Sequence, residues 1–332
     1  MWLRITLNKM IAKITYTHLL ILIVSFNLNW SLASNVIVPA EAVKSIDKVN
    51  SQIHWENSIN SVIYRADKEN KLIFFVHILG DMNGYTWSAG NSLRAVTLCQ
   101  EPLFSLLKNY FVCGYKDITG QDYAGSSGHH GKTGKAVKTS NGAGPRNLQL
   151  FVLAKDGTVL TCLPGYWDSQ DLLSELKLAY KLNALYNDPK IAKYEKAKEF
   201  SKIHLDHIKK HSQAMVNRSH LQHFDAVYEA RHNIASSDVI KDRELIDRPT
   251  SRFPLEAFKT TDVIMHERMA KRPFKPYVSF DTKDYVAYGK PMYDKNEDNL
   301  ATDGSSLVGA FAHDPNNQSL QNTVRVYNWK GK

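Results

Sequence analysis

The sequence predicts an α/β fold on three observations. Leu72 to Leu79 is apolar at every position but His77, as in a strand covered on both faces. Ile59, Val62, Ile63 and Ala66 precede it at i, i+3, i+4 and i+7, one face of a helix. Leu148–Leu153 and Thr158–Leu163 flank Asp156-Gly157, a hairpin signal.

The remaining elements follow in order. Gly80 to Gly90 is a loop, rich in turn residues. Leu93, Val96, Leu103, Leu106 and Leu107 make the next helical face, with Pro102 opening its second segment. Phe111 to Ile118 is a second strand. Thr119 to Gly144 is a 26-residue insertion with seven glycines, longer than an ordinary connection. Asp168 or Ser169 caps a helix with Leu172, Leu173, Leu176, Ala179 and Tyr180 facing inward. Asp188-Pro189 reads as the cap and first-turn proline of a helix carrying Ile191, Tyr194, Ala197, Phe200 and Ile203. Leu221, Phe224, Val227 and Tyr228 give another helix, Thr261–Lys271 a third, and Asp281 starts a short one ending at Gly289.

This order resembles the thioredoxin-like superfamily over residues 50–186. Lys71 to Leu79 looks like its central strand, Phe111-Val112 with Lys116-Asp117 like its second, and Gly144-Pro145 like its cis-proline. Asp156-Gly157-Thr158-Val159 and Gly165-Tyr166 look like its hairpin and final glycine. The resemblance implies a four-stranded sheet flanked by helices, with the strands of Cys113 and Cys162 separated by two others. The family's Cys-x-x-Cys is missing: Gly80-Asp81-Met82-Asn83-Gly84-Tyr85-Thr86-Trp87 holds no cysteine. Dithiol exchange has no residues to run on. Residues 187–295 read as a mainly helical C-terminal extension, and 296–332 as a disordered tail.

Residues 1–33 read as a signal peptide. Arg4, Lys9 and Lys13 precede an apolar run, no acid occurs before Glu41, and Ser31-Leu32-Ala33 suits cleavage. An uncleaved anchor is the alternative. Asn27 and Asn29 leave the run too short for a spanning helix, so stable membrane insertion after processing is not expected. Processing lowers the net charge from +9 to +6, a modest excess that gives no case for nucleic acid. The expected location is extracytoplasmic, periplasmic or secreted. Three cysteines exclude a disulfide-built scaffold, and one apolar segment excludes a polytopic membrane protein.

Four candidate sites arise. Cys99, beside the break at Pro102, is the candidate reactive thiol; its bland reading, like that of Cys113 and Cys162, is a small buried hydrophobe. His204, His207 and His211 fall at i, i+3 and i+7, so they could share a helix face and bind metal. Lys202, Lys209 and Lys210 surround them with no completing Asp, Glu or Cys nearby, so the bland reading is a solvated polar face. The Gly-rich insertion lacks P-loop spacing. Finally, the resemblance implies that the residue before the cis-proline offers open backbone. Tyr85, Trp87, Gly144 and Pro145 would then line a groove for a peptide or protein segment; the alternative is that Trp87 packs in the core.

The sequence thus favours an exported, non-redox binding or scaffold protein without a cofactor. A single-cysteine thiol oxidoreductase or peroxidase using Cys99, and histidine-based metal handling, stand as alternatives.

Overall fold

The computed structural model describes residues 36–37, 39–84, 86–125, 129–130, 136–250 and 252–292. The expected signal peptide, the tail 296–332 and Tyr85 lie outside these residues.

The chain opens with β1 (Val36–Ile37) and α1 (Pro39–Gln52), then β2 (Trp55–Glu56) and α2 (Ile59–Glu69). Ser58 caps α2 by accepting from the Ser61 N–H, and Asn70 ends it in the left-handed conformation. Next come β3 (Leu72–Ile78), β4 (Thr86–Trp87), α3 (Ser88–Ser92) continued by a π turn (Leu93–Thr97), α4 (Leu103–Tyr110) and β5 (Phe111–Asp117). Short β6 (His129–His130) and β7 (Ala136–Val137) lie in the Gly-rich insertion. Then follow β8 (Leu148–Leu153), β9 (Val159–Pro164), α5 (Ser169–Asn187), α6 (Lys193–Ile208), α7 (Gln213–Arg218), α8 (His223–His232), α9 (Thr261–Ala270) and α10 (Thr282–Tyr285).

The main sheet is mixed, in the order β2-β5-β3-β8-β9. β3 runs parallel to β5 and antiparallel to β8, and β9 returns antiparallel to β8. All seven residues of β3 are buried, as a doubly covered strand requires. The sheet has five strands rather than the expected four. β2 pairs with β5 through Trp55 and Glu56, and two residues are too few to show an alternating pattern. Cys113 on β5 and Cys162 on β9 have β3 and β8 between them, and all three cysteines are free.

Helix α2 packs on β3 and β5, made possible by Gly114: a Cβ there would lie 2.3 Å from Val62 Cγ2. Helix α5 packs on β8 and β9, and α9 on β9 and α6. Tyr277 covers the face of the sheet that presents Phe75, His77 and Phe151, all in edge-on ring contact with it. One hydrophobic core therefore runs from sheet residues such as Phe74 and Leu150 to Phe200, Met265, Met269 and Tyr285.

Three local expectations are corrected. The cis peptide bond among the described residues is Glu101–Pro102, not Gly144–Pro145. Asp188 ends α5, and its side chain accepts from the Lys190 N–H, so the next helix begins only at Lys193. Helix α8 buries Ala226 and Ala230 together with Asp225 and Glu229, because Glu229 receives the Gly289 N–H and Asp225 the Lys290 N–H.

Candidate metal centre

Four ionisable side chains from three parts of the chain meet between α5, α6 and α9. Glu175 lies on the inward face of α5, whose N-terminus Asp168 caps by accepting from the Gln170 N–H. His207 lies in the last turn of α6. A tight turn, with the His211 N–H donating to the Ile208 carbonyl, carries the chain to His211. Asp262 and His266 are four residues apart on α9 and so share one face.

The ligand atoms of Glu175, His207, His211 and His266 all lie within 4.8 Å of one another. Glu175 Oε1 is 3.1 Å from His207 Nε2 and 3.5 Å from His211 Nε2, and its Oε2 is 3.4 Å from His266 Nε2. A tetrahedral site with bonds of about 2.0–2.1 Å has ligand atoms about 3.3–3.4 Å apart. The three imidazole centroids form a near-equilateral triangle of 4.9, 5.1 and 5.2 Å. The Glu175 and His266 side chains are 0% exposed and His211 2%, while His207 keeps 15%. The solvated polar face expected for these histidines is corrected: helix packing buries them and brings up a carboxylate 32 residues before His207.

Outer partners hold the rings. His211 Nδ1 is 2.6 Å from Asp262 Oδ2, and His266 Nδ1 is 2.9 Å from His204 Nδ1. His204 Nε2 reaches the Leu160 carbonyl at 3.3 Å. His204 is thus a support for the cluster rather than a member of it. A carboxylate holding the far nitrogen of a ligand histidine, as Asp262 holds His211, is a usual setting of a metal site.

The protons on this relay do not add up. Burial holds His204 and His266 below the usual imidazole range, with His204 lowered further by His266. Each neutral ring carries one N–H. The run from the Leu160 carbonyl through His204 and His266 to Glu175 Oε2 contains three close contacts between acceptors and rings. Two protons cannot fill three contacts. Which contact goes unfilled is set by the tautomers: with His204 donating to Leu160 and His266 to His204, it is the one facing Glu175, and with both rings turned over it is the one at Leu160. His266 Nε2 and Glu175 Oε2 are both buried without a hydrogen-bond partner, as is His211 Nε2. A cation there satisfies both acceptors at once.

The Glu175 carboxyl is held in its charged form. Although burial opposes it, His266, His207 and His211 hold the Glu175 carboxyl well below its usual range. Burial likewise opposes the charge on His211, but Asp262 and Glu175 raise its pKa to about 9. A metal ion therefore competes with a proton at His211, as is usual for histidine ligands.

The other candidates fare differently. Gly144 and Pro145 are buried, the Gly144 carbonyl accepts from the Asn147 N–H, and Pro145 O accepts from Gln149 Nε2. The carbonyls of both residues are thus engaged within their own turn. The backbone of Trp87 pairs with His129; its side chain and Tyr85 lie outside the description. Cys99 is half-buried, with Sγ 3.1 Å from the Ala95 carbonyl and 3.4 Å from Gln100 Nε2, while Lys48 Nζ donates to its backbone carbonyl. Burial raises the Cys113 thiol to about 12 and holds Cys162 well above the usual thiol range.

Sequence reasoning found His207 and His211 but missed Glu175, Asp262 and His266. The one signal available was Asp262 and His266 at i, i+4, a spacing shared by many solvated helices. Comparison with protein families, with curated proteins and with solved structures finds no match for this chain.

Proposed function

We propose that this protein is an exported metal-binding protein that holds a divalent transition ion through His207, His211, His266 and Glu175. The observation that carries the reading is the convergence of three imidazoles on one buried carboxylate, with Glu175 Oε2, His266 Nε2 and His211 Nε2 buried without a hydrogen-bond partner. Three imidazoles and one carboxylate suit Zn²⁺, Fe²⁺, Ni²⁺ or Cu²⁺ rather than Ca²⁺ or Mg²⁺, which prefer all-oxygen shells. Among these, Zn²⁺ takes a four-ligand set of histidines and a carboxylate most readily.

The ion would tie α5 to α6 and α9, and so the sheet to the helices that follow it. We further read the sheet as a thioredoxin-like scaffold without dithiol chemistry. The order β5-β3-β8-β9, with β8 alone reversed among these four strands, supports this, and so does the missing Cys-x-x-Cys. On this reading the helices after residue 187 are an extension whose task is to complete the metal centre.

The test is elemental analysis of protein purified without chelator, then reconstituted with Zn²⁺, Co²⁺ or Mn²⁺. One tightly held ion per chain is expected, lost in His266→Ala. Failure of every metal to bind would overturn the proposal.

A further inference from the structure

We propose that the lysine-rimmed cleft between α5 and α6 binds a small phosphate-bearing anion against the His207 edge of the centre. This rests on the metal reading for its meaning but not for its test. The cleft has a volume of about 360 Å³, in the range of small-molecule sites. Lys177, Lys181, Lys202 and Lys210 line it, with Glu199 and Asp206 as its acids and His207 among its walls.

Three observations support an anion. First, the acids are already engaged: Asp206 Oδ1 is 2.7 Å from Lys209, outside the lining, and Glu199 reaches Lys202 at 3.9 Å. Lys177, Lys181 and Lys210 form no ion pair among the described residues. Second, Lys177 and Lys181 are at i, i+4 on α5, where like charges weaken a helix. Both are exposed, and an anion between them relieves the repulsion. Third, four lysines against two carboxylates leave two positive charges in the lining. A phosphate monoester carries about −1.5 to −2 and several acceptor oxygens, which matches that excess better than a single carboxylate does. Lysine is an established point-charge partner of phosphate.

The position gives the cleft its significance. Of the four ligand side chains, His207 is the most exposed, at 15%, and it lines this cleft. An anion held by the lysines therefore sits beside the His207 edge of the four-ligand centre.

The experiment uses the whole processed protein loaded with Co²⁺. Inorganic phosphate and phenyl phosphate are titrated at constant ionic strength, with chloride as the reference. Calorimetry reads binding, and the visible Co²⁺ spectrum reads whether the anion reaches the centre. Saturable binding is expected, weakened at least tenfold in Lys177→Gln/Lys181→Gln/Lys210→Gln, with metal content and circular dichroism unchanged. Preference for phenyl phosphate identifies a phosphorylated molecule as the occupant, and preference for inorganic phosphate the free ion. Absence of binding at millimolar concentrations, or binding indifferent to the triple substitution, overturns the proposal. If Co²⁺ does not bind, the metal reading falls, and calorimetry on the same protein still decides the cleft.

Discussion

Replacing Glu175 by glutamine keeps the side-chain shape and removes the charge that three imidazoles face. Its oxygens lie 3.1, 3.5 and 3.4 Å from His207, His211 and His266, with no solvent exposure. Removing one partner of such a buried set costs about 3–5 kcal/mol, because the remaining charge, here on His211, is left less compensated. The ion adds a second term. Present at a hundredfold its dissociation constant, it stabilises the native protein by about 2.7 kcal/mol. For a domain of this size, about 2–4 °C accompanies each kcal/mol, so roughly 5–11 °C of the wild-type Tm depends on the ion. The assay is thermal unfolding by circular dichroism, with Zn²⁺ and with EDTA. The wild-type protein is expected to lose that increment on chelation. Glu175→Gln is expected to melt lower and to ignore the chelator. A wild-type Tm indifferent to both EDTA and Zn²⁺, or a variant that keeps its ion and its Tm, refutes the reasoning.

Three further outcomes are expected. Asp262→Asn, which weakens the hold on His211 Nδ1 at 2.6 Å, lowers Zn²⁺ affinity by about 10–100-fold in competition with a chromogenic chelator. His77 sits within the sheet, bonded to Gln149 and Tyr277, and burial lowers its pKa to about 3. The unfolded chain takes up this proton below about pH 6.5 while the folded one does not, so stability is present above that pH and falls as pH drops toward 3. The ceiling is about 4–5 kcal/mol; urea titrations between pH 7 and 4 should show a shallower acid slope in His77→Gln, and an unchanged slope counts against the assignment. A thiol reagent labels Cys99 in the native protein and Cys113 and Cys162 only after unfolding, as mass spectrometry of the adducts can show; fast native labelling of Cys162 contradicts the buried placement.

Much of the fold was legible because it rests on local patterns. The run Leu72–Leu79 could only be a strand buried on both faces, and the hairpin at Asp156-Gly157 and the cap at Asp168 are chemistry of neighbouring residues. The pair β2, two residues long, left no such trace, and Gly144-Pro145 read as cis although its conformation is set by the packed turn around Asn147. The centre divides the same way. By spacing alone His207 and His211 read as one helix face, as well suited to solvent as to metal, whereas the helix ends at Ile208 and a turn brings His211 to the cluster. What decided it was the packing of α6 against α5 and α9, which excludes water and places Glu175 and His266, 91 residues apart, within 3.4 Å. A periodic pattern records which side of a helix is apolar; it does not record what another helix brings to that side, and the chemistry of this centre depends on those long-range meetings.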